Sequence, residues 1–305
     1  MTAEIGRAGG LADAGSWGKP DAMSDTGAPA PQTLSVTTPD GLSVAASVWE
    51  AEGPPTGPDL LFIHGFSQCG LCWDAQVASP QLAHLRRATY DFRGHGASDK
   101  PLDAAFYQEA GRWAGELAAV IAQTGLRRPV LVGWSYAGRI ICDYLAAHGA
   151  GDISGIVFVA GVVSNEKRFF GTCNRLMRQM CSPDTATNVA ATRAFLRSCF
   201  ARAPERDAFE TLLGFNMMVP AEVRAGMFGR PADFDGLLAG LDLPVLAVQG
   251  ARDIVVAPAM AEHIAATVPG ARLEMFAEAG HAPFLETPEA FNAALARFAA
   301  AIAPR

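Results

Sequence analysis

Cysteine is scarce, six in 305 residues, too few for a disulfide scaffold. Charge is scarce too, at 18% against a typical share of about 25%. What charge there is leans acidic: 31 Asp and Glu against 24 Lys and Arg, a formal charge of −7. No nucleic-acid partner is expected, because neutralising phosphates requires a basic face. No run approaches the roughly 20 apolar residues that cross a bilayer, so no membrane partner is expected either. The start of the chain lacks the basic opening and apolar stretch of a secretory signal, and cytoplasmic residence is the default expectation. Absent as well are G-x-x-x-x-G-K-[ST], H-E-x-x-H and a strand-placed G-x-G-x-x-G, so no phosphate loop, catalytic zinc or nicotinamide cofactor is implied.

Apolar residues make up 50%, which excludes a mainly disordered chain and suffices for a core without staples. Cys69 and Cys72 form a C-x-x-C, but no second pair lies nearby to complete a zinc site. Reduced thiols packed under a loop are the expectation. Residues 1–31 hold six Gly, seven Ala and three Pro and predict a disordered tail, with Met23 offering a second start.

From residue 32 the pattern changes. Leu34–Thr38 and Leu42–Trp49 alternate apolar and small polar residues around Pro39-Asp40-Gly41, which predicts a β-hairpin. Continuous apolar runs follow at Leu60–Ile63, Ala88–Phe92, Val130–Val132, Ile156–Ala160 and Val245–Val248, and Arg272–Phe276 is the last strand. Such runs suit strands covered on both faces. Helix-like segments lie between them at Trp73–Arg86, Tyr107–Thr124, Tyr136–His148, Ala259–Val268 and Pro288–Ile302. The alternation predicts an α/β fold, a mostly parallel sheet flanked by helices. The core then spans 32–161 and 242–305. The 162–241 interval lacks strong strand signals and predicts a helical cap on the sheet's C-terminal edge, where ligands of open α/β sheets bind. Five of the nine Met fall there, either as a deformable ligand wall or as filler of the cap's own core.

The sharpest signal is Val130-Leu131-Val132-Gly133-Trp134-Ser135-Tyr136-Ala137-Gly138. An apolar strand runs into a serine, and a helix with Ile140, Ile141, Tyr144 and Leu145 on one face follows at once. A serine on so sharp a turn is pushed clear of the backbone with its Oγ exposed. The turn is cramped, so the positions two before and two after must be small, as Gly133 and Ala137 are. The helix N-terminus adds unpaired N–H groups and positive dipole beside developing negative charge.

This segment resembles the nucleophile elbow of the α/β-hydrolase superfamily, with Ala137 in place of the last Gly. The resemblance extends over about residues 33–302 and implies the α/β-hydrolase fold. Haloalkane dehalogenases and epoxide hydrolases of that superfamily carry Asp at the elbow, whereas Ser135 points to acyl transfer. Serine needs a base. His84, His148 and His263 fall in helical segments and read as surface. His95 lies in a stretch, Asp91–Ser98, that resembles the family's structural D-x-R-G-H-G-x-S loop. His64 precedes Gly65 as in the family's oxyanion loop and reads as a loop organiser. Gly280-His281, followed by a Pro-initiated helix, resembles the catalytic-histidine loop, which implies His281 as general base. Asp253, after the next-to-last strand, would orient it. Ser135, Asp253, His281 is the chain order of this fold. The oxyanion donors implied are the backbone N–H groups of Phe66 and Tyr136.

Trp134 and the cap's Met177, Met217 and Met218 join these aromatics in an expected apolar pocket, and the whole is similar to microbial carboxylesterases of the pimeloyl-ester esterase type. The expectation is a serine hydrolase acting on a small, largely apolar carboxylic ester, with no cofactor and no metal. Lactone or C–C hydrolysis, cofactor-free perhydrolase or haloperoxidase-like chemistry, and non-catalytic ligand binding stay open, since fold does not settle function. Residues 162–240 carry nine Arg and one Lys against eight acidic residues. Arg168, Arg175, Arg178, Arg193, Arg197 and Arg202 read as a solvated face, with a carboxylate clamp as the alternative.

Overall fold

The apolar runs become the middle of one sheet. The computed structural model describes residues 30–302, so the tail expected over 1–31 falls outside them except for Ala30 and Pro31. Eight strands follow in chain order: β1 (Gln32–Thr37), β2 (Ser43–Trp49), β3 (Leu60–Ile63), β4 (Arg87–Tyr90), β5 (Val130–Trp134), β6 (Gly155–Val159), β7 (Val245–Gly250) and β8 (Arg272–Phe276). They lie side by side as β1-β2-β4-β3-β5-β6-β7-β8. The hairpin strands β1 and β2 pair antiparallel, as do β2 and β4, and every other pairing is parallel.

Strands β3, β5 and β6 are buried at every position, because helices cover both faces. Successive side chains go to opposite sides. Leu61, Ile63, Leu131, Ile156 and Phe158 join a cluster with Trp113, Ile140 and Ile141, while Leu60, Phe62, Val130, Val132 and Val157 join another with Trp73, Phe284 and Phe291. The chain between β6 and β7 supplies the helices Asn174–Gln179, Thr185–Ser198, Arg206–Met217, Ala221–Gly226 and Asp235–Ala239. Asp184 caps the second of these by accepting from Thr187 N–H. Among the described residues no helix is long and apolar enough to cross a membrane.

Two helices differ from expectation. The segment 73–86 forms only a 3-10 turn (Gly70–Trp73) and one α turn (Asp74–Val77), since Pro80 lacks an N–H and disfavours a helical residue before it. The helix expected over 107–124 is split into Ala105–Gln108 and Ala110–Gln123, with Glu109 extended between them. Arg93 Nη1 donates to Phe106 O at 3.1 Å and Trp113 Nε1 to Tyr107 O at 2.9 Å. Those carbonyls would otherwise accept within an unbroken helix.

Candidate active site

Ser135 follows β5 directly and stands at φ 55°, a conformation that costs a non-glycine residue about 1–2 kcal/mol. Its N–H donates to Val159 O at 2.9 Å, and its carbonyl accepts from Gly138 N at 3.0 Å and Val162 N at 2.9 Å. A Cβ on Gly133 would stand 2.5 Å from Ile141 Cδ1, and one on Gly138 would stand 2.7 Å from Val162 N. Glycine is therefore demanded at 138, while the methyl of Ala137 is accommodated, fully buried, at the position before it.

Asp253 lies in the turn after β7. Its Oδ1 accepts from Val255 N at 2.7 Å and Val256 N at 3.0 Å, and its Oδ2 from Gln249 Nε2 at 2.7 Å. His281 Nδ1 meets the same Oδ2 at 2.7 Å. A carboxylate only accepts, so in the neutral ring Nδ1 carries the proton and Nε2 the lone pair. The His281 loop is itself clasped: His281 N–H donates to Cys199 O and Trp134 Nε1 donates to His281 O, each at 2.8 Å. Glu286 ties the loop to the cap, accepting from Gly280 N at 2.6 Å and Ala201 N at 2.7 Å. The indole just before Ser135 thus lies against the histidine loop, with ring centroids 5.5 Å apart. Among the described residues no hydrogen bond joins Ser135 Oγ to the His281 ring. Such contacts are often long without substrate.

The loop after β3 approaches from the other side. A Cβ on Gly65 would stand 3.2 Å from Ser135 Cβ and 3.3 Å from the Trp134 ring, so the backbone of Phe66 passes beside the serine. Two fully buried histidines hold this loop. His64 Nδ1 donates to Gly65 O at 2.9 Å and Nε2 accepts from Phe92 N at 3.2 Å. His95 Nε2 accepts from Ser67 N at 3.1 Å. Burial holds His64 down at about 4 and His95 well below its ordinary range, so both are neutral at neutral pH. Among the described residues neither the Phe66 nor the Tyr136 N–H donates to a backbone carbonyl.

A cavity of about 320 Å³ opens beside Ser135. Phe66, Tyr136, Met177, Met227, Phe228 and Val255 form much of its wall, and Arg139, Arg178 and Arg230 are its charged members. Met177 lies where the sequence places it. Met217 and Met218 do not: they are 36% and 58% exposed. The helix Arg206–Met217 buries Leu212, Phe215 and Asn216, and the next positions turn outward. Trp134 is buried against His281 and Phe284 instead of lining the cavity. Arg168, Arg175, Arg193, Arg197 and Arg202 are solvated, and Arg178, also exposed, alone of that set reaches the cavity. Sequence reasoning misses Arg139 and Arg230. Arg139 had a signal, being four residues after Ser135 and so on the same helical face; Arg230 sits in irregular chain and had none.

The model of the alpha/beta hydrolase family matches residues 60–294. Among curated relatives, the pimeloyl-[acyl-carrier protein] methyl ester esterase of Vibrio vulnificus is 27% identical over 259 residues, covering 82% of this chain and 97% of its own. Among solved structures, the esterase RhEst1 from Rhodococcus sp. ECU1013 is 32% identical with a TM-score of 0.82, over 89% of this chain and 99% of that one. A Burkholderia cenocepacia protein described as a candidate aryl esterase is 38% identical with a TM-score of 0.81, over 88% and 97%. With its elbow, sheet order and cap, the chain belongs to the alpha/beta hydrolase family.

Proposed function

We propose that this protein is a serine hydrolase that cleaves a small, largely apolar carboxylic ester through an acyl-enzyme. The observation that carries this reading is the 2.7 Å hydrogen bond between Asp253 and His281 Nδ1, which holds the ring by Nδ1 and leaves Nε2 available as a base. His281 Nε2 takes the Ser135 proton as Oγ attacks the acyl carbon. The oxyanion accepts from the Phe66 and Tyr136 N–H groups. The imidazolium, stabilised by Asp253, returns its proton to the departing alkoxide. Water then attacks the acyl-serine by the same route and releases the acid. The mainly apolar cavity wall supports an apolar acyl or alcohol group, and the names of the relatives support an ester as the bond cleaved.

Intact mass after exposure to a fluorophosphonate tests the nucleophile. One adduct is expected on the wild type and none on Ser135→Ala, whose ester turnover falls by at least about 1,000-fold. An adduct on both proteins, or wild-type turnover by Ser135→Ala, would overturn the assignment.

A further inference from the structure

Arg139 is a buried cation without an anion. It stands on the helix that Ser135 opens, is only 8% exposed, and lines the cavity. Its Nη1 donates to the Arg230 carbonyl at 3.0 Å and its Nη2 to Asn165 Oδ1. Among the described residues no carboxylate pairs with it. Asp143, which faces this corner, is taken by Arg230, so that pair is neutralised in place. Arg178, exposed and without an ion pair among the described residues, lies on the same wall, and no Asp or Glu lines the cavity. Burying a guanidinium costs free energy that an opposite charge ordinarily offsets. Arg87 and Arg224 are also buried without a carboxylate among the described residues, but neither lines the cavity: Arg87 donates to Val77 O and Glu50 O, and all three nitrogens of Arg224 donate to protein acceptors. Arg139 lines the cavity with one acceptor at Nη1, one at Nη2 and none at Nε among the described residues.

We propose that the cavity selects esters bearing a second, ionised acidic group, a carboxylate on the acyl or alcohol portion, held by Arg139 with Arg178 closing the clamp. This substrate class rests on the serine-esterase reading above and refines it. The apolar wall takes the connecting chain, and the two guanidiniums take the charge. A fork of planar donors suits a carboxylate and gives it orientation as well as charge.

The test pairs 4-nitrophenyl hydrogen glutarate with 4-nitrophenyl valerate, two acyl chains of equal carbon count of which only the first ends in a charge. For the wild type and Arg139→Gln, the ratio of kcat/KM for the charged over the neutral ester is compared. That ratio is expected to drop about tenfold or more in the variant, mainly through KM for the charged ester. Arg178→Glu reverses an exposed charge with little burden on folding, and is expected to lower the same ratio even if Arg139→Gln does not fold. An unchanged ratio in a folded Arg139→Gln and in Arg178→Glu overturns the clamp. Calorimetric binding of glutarate separates the two readings, because it needs no turnover. Glutarate bound by the wild type and about tenfold more weakly by the variants upholds the subsite even in a protein that hydrolyses neither ester. Ester turnover without glutarate binding by the wild type overturns the clamp and leaves the esterase standing.

Discussion

Gly250 ends β7, three residues before Asp253. A Cβ there would stand 1.9 Å from Gly280 O and 2.5 Å from Ala279 O. Both obstacles are backbone of the His281 loop, so nothing flexible can yield. Gly250→Ala must therefore push apart the two loops that carry Asp253 and His281. We expect kcat to fall about 100-fold, the usual consequence of misplacing by about an ångström a group with the role proposed for these two, and the unfolding free energy to drop by about 1–3 kcal/mol through overpacking. Gly214, inside the helix Arg206–Met217, would place a Cβ in open space. Gly214→Ala should gain up to about 1 kcal/mol of stability from helix propensity. Steady-state kinetics and urea titration of the two variants check both signs. The contrast separates glycine needed for close approach from glycine that merely occupies a helix.

At the scale of elements, one arginine of the cap grips the loop after β3. Arg224 on the helix Ala221–Gly226 is fully buried. Its Nε donates to Ser67 Oγ at 2.9 Å, its Nη1 to Asn188 Oδ1 at 2.8 Å and Met180 O at 3.0 Å, and its Nη2 to Asn216 O. Burial holds its pKa down at about 10, so it is charged at neutral pH. Ser67 follows Phe66 and stands at φ 62°, so Arg224 fixes the residue next to a proposed oxyanion donor. Arg224→Met strands several buried acceptors and should cost about 2–3 kcal/mol. Its kcat should drop further than its KM rises, because the effect travels through the Phe66 N–H. Arg224→Lys should recover little of either, since one ammonium cannot span three directions. Kinetics and denaturation of both variants decide it; full recovery by lysine would reduce Arg224 to a bare charge.

For the molecule as a whole, cap and sheet share their cores. Phe195, Val219, Val223 and Met227 of the cap pack in one cluster with Trp113 and Ile140, and Leu196, Leu212 and Phe215 in the other with Trp134 and Phe284. A cap without a separate core should unfold with the sheet in one transition. The tryptophans of the described residues, Trp49, Trp73, Trp113 and Trp134, all lie outside the cap, whereas Cys199 is buried within it. Burial pushes the Cys199 thiol well above its ordinary range. At pH 8 it is therefore protonated and slow to alkylate when folded, and regains an ordinary thiolate fraction when unfolded. Tryptophan fluorescence and alkylation of Cys199, followed by mass across a urea series, should give one midpoint. A lower midpoint for the thiol would mean that the cap melts alone.

The strands, the strand-to-helix turn at Ser135 and the loops that carry Asp253 and His281 are legible in the sequence because each is local. An apolar run, a pair of small residues around a serine, and a Gly-His before a Pro-led helix all act within a few residues of themselves. The buried roles of His64 and His95 are legible for the same reason, through their short motifs. Helix length is not legible at 73–86 and 107–124, where Pro80 in one case and the side-chain donors Arg93 and Trp113 in the other interrupt the backbone ladder. The cavity wall was the least legible part. Met177 reaches it and Met217 and Met218 do not, because the phase of each cap helix against the sheet is set by packing among residues far apart in the chain. Arg139 and Arg230 meet there for that reason too: one lies on the elbow helix and the other in a cap loop about ninety residues on. Covalent neighbours set the catalytic chemistry that the chain can offer. The choice of ligand rests on contacts that exist only once the cap has closed over the sheet.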